Sequence, residues 1–75
     1  MIEVYTKGSC AACLFTKRYL EEQGKTYIEY VVDRDVTVEE IRKRFPQAVT
    51  VPIVVIDEQY IGGYTELSDF FERAA

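Results

Sequence analysis

Two cysteines, Cys10 and Cys13, stand between a strand-like segment and a helix-like one, and this junction constrains the chain more than any other feature. Ahead of it, Ile2, Val4 and Thr6 alternate with more polar residues, which predicts a strand over residues 2–6. Behind it, Ala12, Cys13, Phe15, Thr16, Tyr19, Leu20 and Gln23 recur at three- and four-residue spacings. That pattern predicts a helix over residues 11–23 with one broad buried stripe, from which Leu14 is excluded. Lys7-Gly8-Ser9 reads as the intervening loop, with Ser9 placed to cap the helix. Gly24 is placed to end it. The first sulfur therefore falls at a helix start, where free backbone N–H groups and the helix dipole favour negative charge. The thiolate is the reactive form of cysteine, so Cys10 is the candidate nucleophile. Cys13, one turn later, lies on the same side and can close a disulfide with it.

The remaining segments repeat this alternation of strand and helix. Tyr27 to Val32 is rich in β-branched and aromatic residues and reads as a second strand. Thr37-Val38-Glu39-Glu40 fits a capping box, in which Thr37 and Glu40 satisfy each other's backbone N–H groups. The helix behind it turns Val38, Ile41 and Phe45 inward, turns Arg42, Lys43 and Arg44 outward, and ends at Pro46. Ile53-Val54-Val55-Ile56 is a continuous apolar run, as expected of a strand covered on both faces. Asp57-Glu58 turns the chain into Gln59-Tyr60-Ile61, which Gly62-Gly63 breaks. Thr65 is placed to cap a last helix with Leu67, Phe70, Phe71 and Ala74 inside. The order β-α-β-α-β-β-α predicts an α/β fold in a single domain over residues 1–75. A right-handed crossover makes the first two strands parallel, and a hairpin makes the last two antiparallel. The result is a four-stranded mixed sheet with helices on both faces.

A chain of 75 residues buries only roughly 60% of its unfolded surface, so its core is small. The formal charge of −4 argues against nucleic acid as the main partner. No run of 18 apolar residues and no signal-peptide pattern is present, so the expectation is a soluble, cytoplasmic protein without a membrane partner. Histidine is absent. A one-chain zinc site of four cysteines, or of two cysteines and two histidines, is thereby excluded. A C-x-x-C pair by itself can be two buried small residues, half a metal site or a redox pair; the strand-loop-helix context favours the redox pair.

Three segments occurring in order resemble the glutaredoxins: Thr6-Lys7 ahead of Cys10-Ala11-Ala12-Cys13, then Thr50-Val51-Pro52, then Ile61-Gly62-Gly63-Tyr64-Thr65-Glu66. The resemblance covers essentially the whole chain. It implies a thioredoxin-like fold and a glutathione-dependent thiol–disulfide oxidoreductase. Cys10 would be the attacking thiolate and Cys13 the resolving thiol. Lys7 would set a positive charge near the thiolate and near a carboxylate of glutathione, and Arg44 lies near the family's polar residue for the glycine carboxylate. Val51-Pro52 resembles the family's cis peptide bond, beside which the N–H and C=O of Val51 pair with an extended substrate backbone. Thr50 and Ala12 would line the same tripeptide site. Gly63, Tyr64 and Thr65 open a helix whose N–H groups can hold an anion, the α-carboxylate of the γ-glutamyl group. Glu66 would hold the matching ammonium, where many members have Asp.

The chain departs from the family at Ala11-Ala12, where most dithiol members have Pro-Tyr. Ala11 restores an N–H near the sulfur, and loss of the ring leaves the cysteine pocket more open. The resemblance implies no bound cofactor, with glutathione as co-substrate and disulfide-containing or glutathionylated proteins as targets of a monomer. Two alternatives accompany it. One is an electron donor to ribonucleotide reductase that is itself reduced by thioredoxin reductase. The other is a carrier of a [2Fe-2S] cluster held between two chains, with Cys10 as the metal ligand and glutathione as co-ligand; members lacking the proline assemble such clusters more readily.

Overall fold

The computed structural model describes residues 1–74. Seven elements follow one another: β1 (Ile2–Thr6), α1 (Ala11–Glu22), β2 (Ile28–Val31), α2 (Val38–Arg44), β3 (Ile53–Ile56), β4 (Gln59–Gly62) and α3 (Tyr64–Ala74). The order is the one expected, and each expected element is present within a residue or two of its predicted bounds. The sheet runs β2-β1-β3-β4. β1 pairs in parallel with β2, Val4 opposite Glu29 and Thr6 opposite Val31. It pairs antiparallel with β3, Val4 opposite Val54. β3 and β4 form the hairpin, with a register shift between Val54 and Val55. Asp57 and Glu58, both at positive φ (50° and 68°), make its two-residue turn, the backbone shape that matches strand twist.

The two faces of β1 and β3 are covered by different helices, which explains the unbroken apolar run of β3. On one face, Val4, Leu20, Val54 and Leu67 form a cluster that binds α1 and α3 to the sheet. On the other, Tyr5, Val36, Ile41, Ile53 and Val55 hold α2. The stack of Tyr5 on Tyr30, with ring centroids 5.1 Å apart, and the edge contact of Tyr5 with Phe45 at 5.3 Å extend the second cluster. The capping box of α2 is present: Thr37 Oγ1 accepts from the Glu40 N–H at 3.1 Å, and Glu40 Oε1 accepts from the Thr37 N–H at 3.0 Å. Gly24, at φ 69°, terminates α1, and the Lys25 N–H reaches back to the Leu20 carbonyl at 2.9 Å.

Three expectations need correction. Gly62 continues β4 rather than breaking it. The α1 stripe is narrower than its spacing suggests: Cys13, Thr16 and Leu20 are buried, whereas Phe15 stays 51% exposed. In α3 only Leu67 is fully buried; Phe70 and Ala74 are exposed. The reason is the small sheet. Four short strands offer width for one row of side chains beneath each helix, so residues on the flank of a stripe remain in solvent.

Leu20 contacts both the sheet and α3 through a cluster with no exposed surface. Leu20→Ala should therefore cost about 2–5 kcal/mol of unfolding free energy, read from urea titration. Val49→Ala, at a side chain 98% exposed, should change it by less than about 0.5 kcal/mol.

Candidate active site

α1 begins near the C-terminal end of β1, with four residues between the two elements. Its cap is Cys10, not Ser9. Ser9 sits at φ 55°, in the left-handed region, whereas Cys10 has the extended backbone (φ −127°, ψ 101°) that a cap requires. Cys10 Sγ accepts the Cys13 N–H at 3.1 Å. The sulfur thus replaces the usual hydroxyl or carboxylate on an unpaired N–H of the first turn, and charge on it would be met by that donor and the helix dipole. Cys10 and Cys13 are joined as a disulfide, with Cα atoms 5.3 Å apart. Cys10 is partly exposed, while Cys13 is only 2% exposed. The two sulfurs therefore differ in access.

Beneath α1, one turn and more beyond Cys13, lies a polar network that the sequence did not reveal. Glu29 on β2 accepts from Thr6 Oγ1 at 2.6 Å and from Lys17 Nζ at 3.0 Å. Lys17 is four residues after Cys13, hence on the same side of the helix. The Thr6 hydroxyl holds the Glu29 carboxyl below the usual carboxylate range; partial burial opposes this, and Lys17 adds to it. Thr16 is fully buried and donates its hydroxyl to the Ala12 carbonyl at 2.8 Å. The only signal in the sequence was Glu29 itself, a charge inside an otherwise apolar strand.

A surface cleft of about 560 Å³ opens beside the cysteine pair. One wall is the loop Thr50-Val51-Pro52, where the Val51–Pro52 peptide bond is cis. The other is Gly62-Gly63 with the start of α3: Tyr64, Thr65 and Glu66; Ala12 closes the end toward the cysteines. Gly63, not Thr65, occupies the cap position of α3, its carbonyl accepting the Leu67 N–H at 3.0 Å. Glu66 Oε1 accepts the Gly63 N–H at 2.8 Å, so this carboxylate closes the helix start. Gly62 makes room for it. At φ 132° it adopts a backbone that side chains rarely take, and a Cβ there would lie 2.7 Å from Glu66 Cγ.

Across the Thr50-Val51 ridge lies a second, smaller cleft of about 200 Å³ that brings Lys7 together with Arg42, Thr50 and Val51. Arg44 is not among its residues. It points back along the sheet, where its Nη1 donates to the Tyr5 hydroxyl at 3.2 Å. Ala12, Thr50, Val51, Pro52, Gly63, Tyr64, Thr65 and Glu66 thus line the larger cleft, Lys7 lines the smaller one with Thr50 and Val51, and Arg44 lines neither. Arg42 and Arg44 are two residues apart on a helix and so face different directions; the sequence showed a basic run but not which member turns toward Lys7.

A model of the glutaredoxin family matches residues 2–61. Glutaredoxin 3 of Escherichia coli strain K12 is 33% identical over 66 residues, which are 88% of this chain and 80% of that protein. A hybrid peroxiredoxin of Haemophilus influenzae is 31% identical over 70 residues, 93% of this chain but only 29% of the relative's length. Among solved structures, glutaredoxin 1 of Francisella tularensis, complexed with cacodylate, superposes with a TM-score of 0.82 at 26% identity, covering 97% of this chain and 93% of that one.

Stability should report the Glu29 network through pH. A carboxyl whose folded pKa is lowered contributes stability that is present above its unfolded value, about 4.3, and is lost as pH falls through the folded value. Glu29→Gln should thus be less stable than the parent at pH 7, and the gap should shrink in urea titrations at about pH 3. An equal gap at both values would remove the ionic contribution.

Proposed function

The chain belongs to the glutaredoxin family and is a thiol–disulfide oxidoreductase with the thioredoxin-like fold, and we propose that glutathione is its reductant. The observation that carries this reading is the pair of clefts flanking the Thr50-Val51-Pro52 loop beside Cys10. One presents a helix start with an adjoining carboxylate, suited to the α-carboxylate and ammonium of a γ-glutamyl group. The other presents two cations, Lys7 and Arg42, suited to a carboxylate at the far end of a tripeptide. Glu66 has one oxygen committed to Gly63, so the ammonium would rest on Oε2.

In this reading the Cys10 thiolate attacks one sulfur of a disulfide. A mixed disulfide forms, and the other sulfur leaves as a thiolate. Cys13 then attacks Cys10, releasing the bound thiol and leaving the Cys10–Cys13 disulfide. Two glutathione molecules restore the dithiol: the first forms a mixed disulfide with Cys10, and the second leaves with it as oxidised glutathione. The Cys13 N–H and the helix dipole favour Cys10 both as nucleophile and as leaving group. Targets are disulfide-containing or glutathionylated proteins. Ribonucleotide reductase is one target that the family resemblance allows. The site of action in this reading is cytoplasmic; no helix among the described residues is long and apolar enough to cross a membrane.

The deciding experiment is turnover of a small glutathione mixed disulfide, with glutathione and glutathione reductase in one arm and thioredoxin reductase in the other. Turnover confined to the first arm is expected; turnover confined to the second overturns the reading. In the same assay Cys13→Ser should keep most of the activity, because a second glutathione replaces the resolving sulfur. It should lose reduction of an intramolecular protein disulfide.

Arg42→Ala should raise the KM for glutathione by several-fold, about 1 kcal/mol for a charge-assisted contact at a surface. Arg44→Ala should leave it unchanged. The reverse pattern would restore Arg44 as the carboxylate partner.

A further inference from the structure

The first turn of α1 carries no charge. Ala11, Ala12 and Leu14 are exposed, and so is Phe15. Leu14 is 46% and Phe15 51% exposed. The first charged side chains of the helix are Lys17 and Arg18. Ala11 is followed by Leu14 and Phe15 at i+3 and i+4, so the three adjoin on the helix surface. Tyr64, 38% exposed, continues the patch from α3, with its ring 6.4 Å from that of Phe15. An apolar apron therefore starts at Cys10 and spreads away from the clefts. Tyr64 is its boundary, lining the larger cleft with Ala12 and meeting Phe15 beyond it.

Contiguous exposed apolar surface beside a reactive group marks contact with another molecule. Glutathione cannot be that molecule. It is charged at both ends and has no apolar side chain, and the clefts already suit it. Any polypeptide that exchanges a disulfide with this protein must set its sulfur on Cys10, and its flanking residues must then cover the adjoining surface. Leu14, four residues along the helix from Cys10 and on the same side of it, lies about 6 Å of axial rise away, and the exposed Phe15 is next to it. An extended chain covers the same distance in two residues. We propose that Ala11, Leu14, Phe15 and Tyr64 form a docking surface for polypeptide substrates carrying a bulky apolar side chain about two positions from the reactive cysteine. This surface separates protein disulfides from small ones. It rests on the thiol–disulfide exchange at Cys10, not on the identity of the reductant.

The test is single-turnover reaction of the reduced protein with two synthetic peptides, without glutathione, so failure of the glutathione reading cannot affect it. Each peptide carries one cysteine as a disulfide with cysteamine; one has Phe two positions after the cysteine and the other has Gly. Peptide thiol released is measured by chromatography after acid quench. The parent should react about tenfold faster with the Phe peptide, the effect of partly burying one aromatic ring. Phe15→Ala should lose that preference while reacting with the Gly peptide at the parent rate, and Phe15→Leu should retain most of it. Circular dichroism of both variants should match the parent, since Phe15 is half in solvent. Equal rates with the two peptides for the parent, or a preference that survives in Phe15→Ala, would overturn the proposal. So would dimerisation in sedimentation that Phe15→Ala abolishes, because the apron would then serve a second copy of this chain.

Discussion

Strand β1 is hydrogen-bonded on both edges, parallel to β2 and antiparallel to β3, and its two faces are covered by different helices. Its C-terminal residue, Thr6, is therefore enclosed: 2% exposed, and tied through its hydroxyl to Glu29. The four residues that follow have little freedom before α1 must begin, because α1 is itself anchored by Cys13, Thr16 and Leu20. Cys10 is thus delivered to a helix start by packing on both sides of a short connection. Its sulfur is oriented by the Cys13 N–H rather than by any acid or base. With no histidine in the chain, no imidazolium is present to favour a thiolate, and the backbone donor and helix dipole take part in that role.

The same sheet order sets the rest of the site. β3 lies beside β1, so the loop that enters β3, Thr50-Val51-Pro52, arrives next to the start of α1. β4 lies beyond β3, so its end, Gly62, and the start of α3 arrive on the outer side of that loop. Two helix starts and one tight loop then converge at one end of the sheet. None of these requires a long side chain to reach across the molecule. The site is largely backbone: N–H groups at α1 and α3, and the extended loop between them. This accounts for a chain of 75 residues being able to carry it.

Element order and sheet type were legible in the sequence because they rest on strong periodicities, such as the unbroken run Ile53 to Ile56 and the capping box at Thr37. The segments Cys10–Cys13, Thr50–Pro52 and Gly62–Glu66, which the sheet order brings to one end of the molecule, stand out in the sequence as motifs. What escaped was local competition. Ser9 and Thr65 have the side chains of caps, yet the caps are Cys10 and Gly63. The left-handed backbone at Ser9 moves the cap one residue on, and Glu66 closes the α3 start by reaching back from the first turn. Arg44 and Arg42 were indistinguishable until the angle of a seven-residue helix was known. Phe15 matched the helical period, but a four-stranded sheet is too narrow to cover it.

That narrowness has a functional side. Here two alanines follow Cys10, and the aromatic side chains next to them remain in water at a cost in hydrophobic free energy. The line from Phe15 through Tyr64 and Tyr19 to Phe71 stays continuous, with neighbouring ring centroids 6.0–6.4 Å apart. Its inner end stabilises the α1–α3 contact, and its outer end is free for a partner. One row of rings thereby joins the packing that holds Cys10 in place to the surface that a polypeptide substrate must cross to reach it.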